Sequence, residues 1–216
     1  MIKIISPSLL SADFGNLKHD CEMINTSEAE WLHIDVMDGV FVPNISFGFP
    51  VLEAARKYCT KPLDVHLMIV HPEKYITRFA KAGADILTFH YETVENPLAV
   101  IELIKAEGIK VGITINPDVP VLTLEPYVDK VDLVLLMTVF AGYGGQKFIE
   151  ESYTRIAELK EMIEHKKAHC VIEVDGGVNK QNAFKLFECG VNVLVAGSAV
   201  FNAPNPKEAI HNMLKT

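Results

Sequence analysis

The feature that most constrains this chain is an alternation. Short apolar runs rich in β-branched residues recur along it, and longer stretches with helical spacing lie between them. Candidate strands cover residues 2–6, 31–36, 62–68, 86–90, 110–115, 133–137, 170–174 and 193–196, eight in all. Helical patterns include residues 96–107, where Val100, Leu103 and Ile104 share a face, and residues 153–165, where Ile156, Leu159 and Ile163 do. Gly83, Gly108 and Gly190 each stand between a helical stretch and a strand, as C-terminal caps do. Alternating strand and helix predicts a parallel sheet sheathed by helices. Eight such units in 216 residues predict an α/β fold, a (β/α)8 TIM barrel forming a single domain over residues 1–216. A doubly wound open sheet usually places a glycine-rich turn after its first strand. Here that strand runs into Pro7-Ser8-Leu9-Leu10-Ser11, and the glycines gather late, after strands six, seven and eight.

Composition narrows the partners. Apolar residues make up 49% of the chain, enough for a sizeable core, and the formal net charge is −8. That acidic balance argues against a nucleic-acid partner, which needs a basic footprint. It leaves room for a small anion held by backbone N–H groups. Cys21, Cys59, Cys170 and Cys189 form no CxxC pair, so a thiolate zinc site is not expected, and scattered thiols suit a reducing compartment. No apolar run reaches the roughly 20 residues of a membrane span, and the first residues do not read as a signal peptide. The expectation is a cytoplasmic protein with no membrane association.

Strand periodicity then places the polar residues. Leu32, Ile34 and Val36 suit the helix-facing side of strand two, which turns His33, Asp35 and Met37 into the barrel. In strand three Asp64, His66 and Met68 share a face. In strand seven Glu173 and Asp175 share one with Val171. His33, Asp35, His66 and Asp175 therefore aim at one mouth. Burying several ionisable groups is costly unless they pair or bind a metal. Two imidazoles and two carboxylates make a nitrogen–oxygen set suited to Zn, Fe, Mn or Co. Taken singly, each histidine also fits a hydrogen-bonded core position and each aspartate a cap. Met37, Met68 and Met137 end inward faces, either filling gaps or lining a reactive carbon. Ser8 either donates to a ligand or caps a turn. His90 and Glu92, near the end of strand four, are left without a role.

A second group is made of glycines. Gly142-Tyr143-Gly144-Gly145-Gln146 follows strand six, Gly176-Gly177 follows Asp175, and Gly197-Ser198 follows strand eight. Each lets backbone N–H groups approach a ligand, with a helix N-terminus behind. Ordinary βα turns would look the same one at a time. Three in consecutive loops fall where barrels keep their phosphate sites.

Seven segments carry a resemblance. They are Pro7-Ser8-Leu9-Leu10-Ser11-Ala12-Asp13-Phe14, His33-Ile34-Asp35-Val36-Met37-Asp38-Gly39, Val42-Pro43-Asn44, Asp64-Val65-His66-Leu67-Met68, Gly144-Gly145-Gln146-Lys147-Phe148, Glu173-Val174-Asp175-Gly176-Gly177 and Val195-Ala196-Gly197-Ser198-Ala199. In this order, over nearly the whole chain, they resemble the ribulose-phosphate 3-epimerase family, a TIM barrel of the ribulose-phosphate binding type. The resemblance implies a metal-dependent isomerase of the pentose phosphate pathway. It would invert C3 of D-ribulose 5-phosphate to give D-xylulose 5-phosphate, by two-carboxylate proton transfer through a cis-enediolate. It implies one divalent metal ion on His33, Asp35, His66 and Asp175, with Asp35 and Asp175 as the proton carriers. It implies substrate contacts at Ser8, His66, Gly142, Tyr143, Gly144, Gly145, Gly176, Gly177, Gly197 and Ser198, with Met37, Met68 and Met137 lining the intermediate. Family members are homo-oligomers, dimers or hexamers. The mobile-loop candidates are residues 40–47 and 142–148.

The chain departs from the pattern at Phe140-Ala141, where the family usually has Asn-Pro or Glu-Pro. That keeps a D-allulose-6-phosphate 3-epimerase as the alternative. A decarboxylase of the orotidine-monophosphate type would need Asp-x-Lys-x-x-Asp, but this chain reads Asp64-Val65-His66-Leu67-Met68-Ile69. A non-catalytic sugar-phosphate binding barrel would not need all four candidate ligands.

Overall fold

The computed structural model describes residues 2–215. Eight parallel strands form one sheet: β1 (Ile4–Pro7), β2 (Leu32–Met37), β3 (Leu63–Met68), β4 (Ile86–His90), β5 (Lys110–Ile115), β6 (Leu133–Met137), β7 (Val171–Asp175) and β8 (Val193–Ala196). Their order is β1-β8-β7-β6-β5-β4-β3-β2, so every ladder joins sequence neighbours except β1 with β8. The seam between β1 and β2 is closed by a parallel bridge, Ser8 with His33, and by the Glu30 N–H donating to the Ile5 carbonyl at 3.3 Å. Closing the sheet removes its free edges. The seam that closes the barrel therefore holds two residues that the sequence places at the mouth.

The helices are α1 (Leu17–Asn25), α2 (Phe49–Tyr58), α3 (Ile76–Ala82), α4 (Pro97–Ala106), α5 (Ser152–Lys166), α6 (Lys180–Glu188), α7 (Ser198–Phe201) and α8 (Pro206–Leu214). Their starts follow local chemistry. Asn96 and Asn205 accept N–H bonds from the first turns of α4 and α8, each with proline at the next position, and Asn179 with Asn182 forms a capping box on α6. One expected helix is missing among the described residues. After β5 the chain makes only a 3-10 turn, Val121–Leu124. Pro117, Pro120 and Pro126 interrupt this stretch, and each removes an N–H that a helix needs. After β8 the connection splits into α7 and α8. No helix of the described residues is long and apolar enough to cross a membrane.

Strand alternation divides the core in two. Leu32, Ile34, Val36, Val65, Leu67, Val134 and Leu136 pack outward against the helices in the main apolar cluster. Ile86, Leu133, Leu135 and Met137 fill the barrel interior. Met37 and Met68 form a third, smaller cluster with Val42 at the mouth. The interior is also unusually polar: Ser6, His33, Asp64, His66, Thr88, His90, Thr114 and Glu173 are all fully buried. Space there is short. A Cβ at Gly112 in β5 would lie 2.0 Å from Thr88 Oγ1 and 2.9 Å from Thr88 Cβ.

Gly112→Ala is therefore expected to destabilise the barrel by about 1–3 kcal/mol through overpacking. The shift in urea midpoint measures it. An unchanged midpoint would contradict the placing of Thr88 against β5.

Candidate functional site

Register brings the expected ligands together. Asp35 and His66 are paired residues of β2 and β3. Asp35 Oδ1 lies 3.2 Å from His33 Nε2 and 3.1 Å from His66 Nδ1, and Asp175 Oδ2 lies 3.9 Å from that same His66 nitrogen. One ligand atom from each of His33, Asp35, His66 and Asp175 lies within 4.8 Å of the others. Ser8 Oγ donates to Asp35 Oδ2 at 2.5 Å. Ser8 also accepts the Leu10 N–H, so it serves both as a turn cap and as a contact to the site.

The set fits a divalent metal ion on its own geometry. His33 Nδ1 is 2.6 Å from Asp64 Oδ2. That bond leaves Nε2 facing Asp35, buried and with no hydrogen-bond partner in line. A buried nitrogen without a partner is costly in a protein interior and is what a cation would satisfy. A carboxylate on the far nitrogen is the usual support of a histidine ligand. His66 is backed likewise, by His90 Nε2 at 2.9 Å from its own Nε2.

Electrostatics separates the two aspartates. Burial pushes both carboxyls up. For Asp35 the His33 and His66 imidazoles outweigh burial and hold it well below the usual carboxylate range. Asp175 feels burial and then the Asp35 charge, and is pushed up to about 7. One carboxylate is thus ionised and its neighbour is poised to hold a proton near neutrality, the division that acid–base pairs use. Deeper in the barrel, burial and Asp64 raise Glu173 well above the ordinary carboxyl value. Burial lowers His90 to about 4.

The mouth opens into a cavity of about 490 Å³. It is lined by Ser8, Asp35, Asp175, all three methionines (Met37, Met68 and Met137), Gly142, Tyr143, Gly144, Gly145, Gly176, Gly177, Gly197 and Ser198. Every expected site residue is therefore in the wall, apart from His33 and His66, which lie fully buried behind Asp35. Gly177 has φ +66°, and a Cβ there would sit 2.3 Å from the Phe148 nitrogen, so the loops after β6 and β7 meet backbone to backbone. The two loops expected to move touch each other: Asn44 Nδ2 donates to the Gly142 carbonyl at 3.1 Å, and Tyr143 Oη to the Pro43 carbonyl at 3.2 Å.

The departure at residues 140 and 141 also lies in the wall. Phe140 is 53% exposed. The Ala141 N–H donates to Asn116 Oδ1 at 3.1 Å, a bond that proline, with no N–H, cannot make. Arg155 of α5 secures the same region, donating to the carbonyls of Met137, Asn116 and Val119. Sequence reasoning did not foresee Arg155 or Asn116, and nothing in their local pattern marks them. Asp64 and Glu173 were visible on the inward faces of their strands but drew no assignment.

With the site described, comparison with known proteins is informative. A family model described as the ribulose-phosphate 3 epimerase family matches residues 4–201. The ribulose-phosphate 3-epimerase of Bacillus subtilis is 51% identical over 211 residues, covering 97% of this chain and 97% of its own. That of a Synechocystis species is 46% identical over 209 residues, covering 96% and 91%. Among solved structures, KGPDC from Streptococcus mutans superposes with a TM-score of 0.74 over 100% of this chain and 97% of its own; at 15% identity it shows the shared fold alone. Sequence similarity of this extent, over a barrel whose mouth gathers His33, Asp35, His66 and Asp175, places the chain in the ribulose-phosphate 3-epimerase family.

Proposed function

We propose that this chain inverts C3 of D-ribulose 5-phosphate to give D-xylulose 5-phosphate, a step of the pentose phosphate pathway; its relatives are named ribulose-phosphate 3-epimerase. The observation that carries the reading is geometric: Asp35 and Asp175 converge with His33 and His66, one ligand atom of each within 4.8 Å of the others, beneath a glycine-lined cavity. The two aspartates come from β2 and β7, which are not neighbours in the barrel, so they approach a substrate from different directions.

The residues would act as follows. Asp35, as a carboxylate oriented by Ser8, accepts the proton on C3. Asp175, as a carboxylic acid, delivers a proton to that carbon from the other side. After one turnover Asp35 is protonated and Asp175 ionised, and exchange with water restores both; the reverse reaction exchanges their roles. Met37, Met68 and Met137 present no exchangeable proton, so they cover the planar intermediate without quenching it. Backbone N–H groups of Gly177, Gly197 and Ser198 would hold the phosphate, aided by the Ala199 N–H; Ser198 and Ala199 open α7 ahead of its first helical bonds, which run from the Val200 and Phe201 N–H groups to the Gly197 carbonyl. A Zn, Fe, Mn or Co ion on His33, Asp35, His66 and Asp175 would supply Lewis-acid stabilisation of the negative charge that develops as the C3 proton leaves. We also propose a cytoplasmic homo-oligomer; the free thiols of Cys21, Cys59, Cys170 and Cys189 support a reducing compartment, and light scattering reads the assembly.

Asp175→Asn is expected to lower kcat at least about a hundredfold in both directions, the usual weight of a positioned acid–base group. Affinity for a non-reacting ketose phosphate, read by calorimetry, should change little. Turnover close to that of the parent would contradict the two-carboxylate scheme.

The raised Asp175 also makes metal uptake pH-dependent. Its folded-state value of about 7 lies above the ordinary carboxyl value of 3.8, so in the metal-free protein this carboxyl holds its proton below about pH 7, and the neutral acid is a weaker ligand than the carboxylate. Apparent metal affinity should fall between pH 8 and pH 6 in chelator competition. Equal affinity at both would contradict the assignment of Asp175 as a ligand.

A further inference from the structure

His90 ends β4, fully buried beneath Phe41, whose ring centroid is 4.6 Å away. The reaction above gives it no task. Its Nε2 lies 2.9 Å from Nε2 of His66. The two ring centroids are 5.0 Å apart with planes 24° apart, so the imidazoles meet edge to edge through these nitrogens rather than face to face. On its other side, His90 Nδ1 is 3.5 Å from Glu92 Oε2, an ion-pair contact with no hydrogen bond in line, and Nδ1 has no other partner. The second oxygen of Glu92 accepts the Asn116 N–H at 2.8 Å, and the Asn116 carbonyl accepts Arg155 Nη2 at 2.8 Å. A line of polar contacts therefore runs from the floor of the mouth to its outer wall.

Hydrogen-bond direction orders this line. His66 turns Nδ1 towards Asp35 and Asp175, so a cation held there takes the Nδ1 lone pair. The hydrogen of a neutral imidazole then sits on Nε2. Facing it at 2.9 Å, His90 Nε2 must accept, which puts the His90 hydrogen on Nδ1, towards Glu92. We propose that His90 and Glu92 are positioning residues: they fix the tautomer and ring orientation of His66 and so set the affinity of the site for a divalent cation. His33 receives the same service directly from Asp64, whereas His66 receives it through an intervening histidine. The inference rests on the cation site proposed above.

The test uses Co²⁺ as the probe on metal-stripped protein, read by visible d–d absorption and by chelator competition. Failure of the parent chain to bind one Co²⁺ would remove the cation site, and this inference with it. With binding by the parent established, the variants address His90 alone. His90→Phe keeps a ring but loses both nitrogens, and should weaken Co²⁺ binding about tenfold to a hundredfold and shift the d–d bands. His90→Gln, whose amide can both accept and donate, should recover most of that loss. Parental affinity and spectrum in folded His90→Phe would overturn the proposal, as would equal losses in the two variants, which would mark a packing effect. If His90→Phe does not fold, Glu92→Ala reads the same line from its outer end, where the side chain is 20% exposed. About tenfold weaker Co²⁺ binding supports the proposal, and unchanged binding overturns it.

Discussion

The structure depends on how ionisable side chains are kept inside a closed barrel. His33, His66, Asp64, His90 and Glu173 are fully buried and Asp35 nearly so, in an interior where an unpaired charge would cost several kcal/mol. Mutual pairing relieves much of this. Asp64 holds one face of His33, Asp35 lies between His33 and His66, and His90 meets the far side of His66. The pairing leaves one inward nitrogen, His33 Nε2, without a partner at the point where the four candidate ligands converge. A divalent cation would complete that arrangement. The same crowding separates Asp35 from Asp175 in proton affinity, so the interaction that would hold the metal also produces the asymmetry the chemistry needs.

Much of this was legible in the sequence because the relevant periodicity is local. Period-two alternation in Leu32–Met37 and Leu63–Met68 decides which side chains face inward, and the apolar set leaves no alternative for His33, Asp35 and His66. All eight strands lie where the β-branched runs predicted them, with bounds shifted by one or two residues at most. The connection after β5 departs from the repeat: the eight-unit pattern implies a helix there, whereas Pro117 and Pro120 within Asn116-Pro117-Asp118-Val119-Pro120 argue against one.

What the sequence concealed is contact between distant strands. His90 and Glu92 are ordinary polar residues until β4 is set beside β3 and the loop after β5. Arg155 lies on a helix whose surface is rich in charge, and only its reach to Met137, Asn116 and Val119 distinguishes it. The Phe140-Ala141 departure takes on a different meaning in three dimensions. Where proline would stiffen the backbone, the Ala141 N–H ties the glycine-rich loop to Asn116, which is in turn held by Glu92 and Arg155. The loop anchor and the support of His66 thus share Glu92 and Asn116.

Four side chains from three strands are placed to meet around one cation. Anomalous diffraction from crystals soaked in Co²⁺ or Zn²⁺ reads this arrangement at the atoms concerned. A single strong peak is expected at about 2.0–2.2 Å from His33 Nε2, His66 Nδ1 and one oxygen each of Asp35 and Asp175. A fully soaked crystal with no peak among these atoms, or with its strongest peak elsewhere on the barrel, would contradict it.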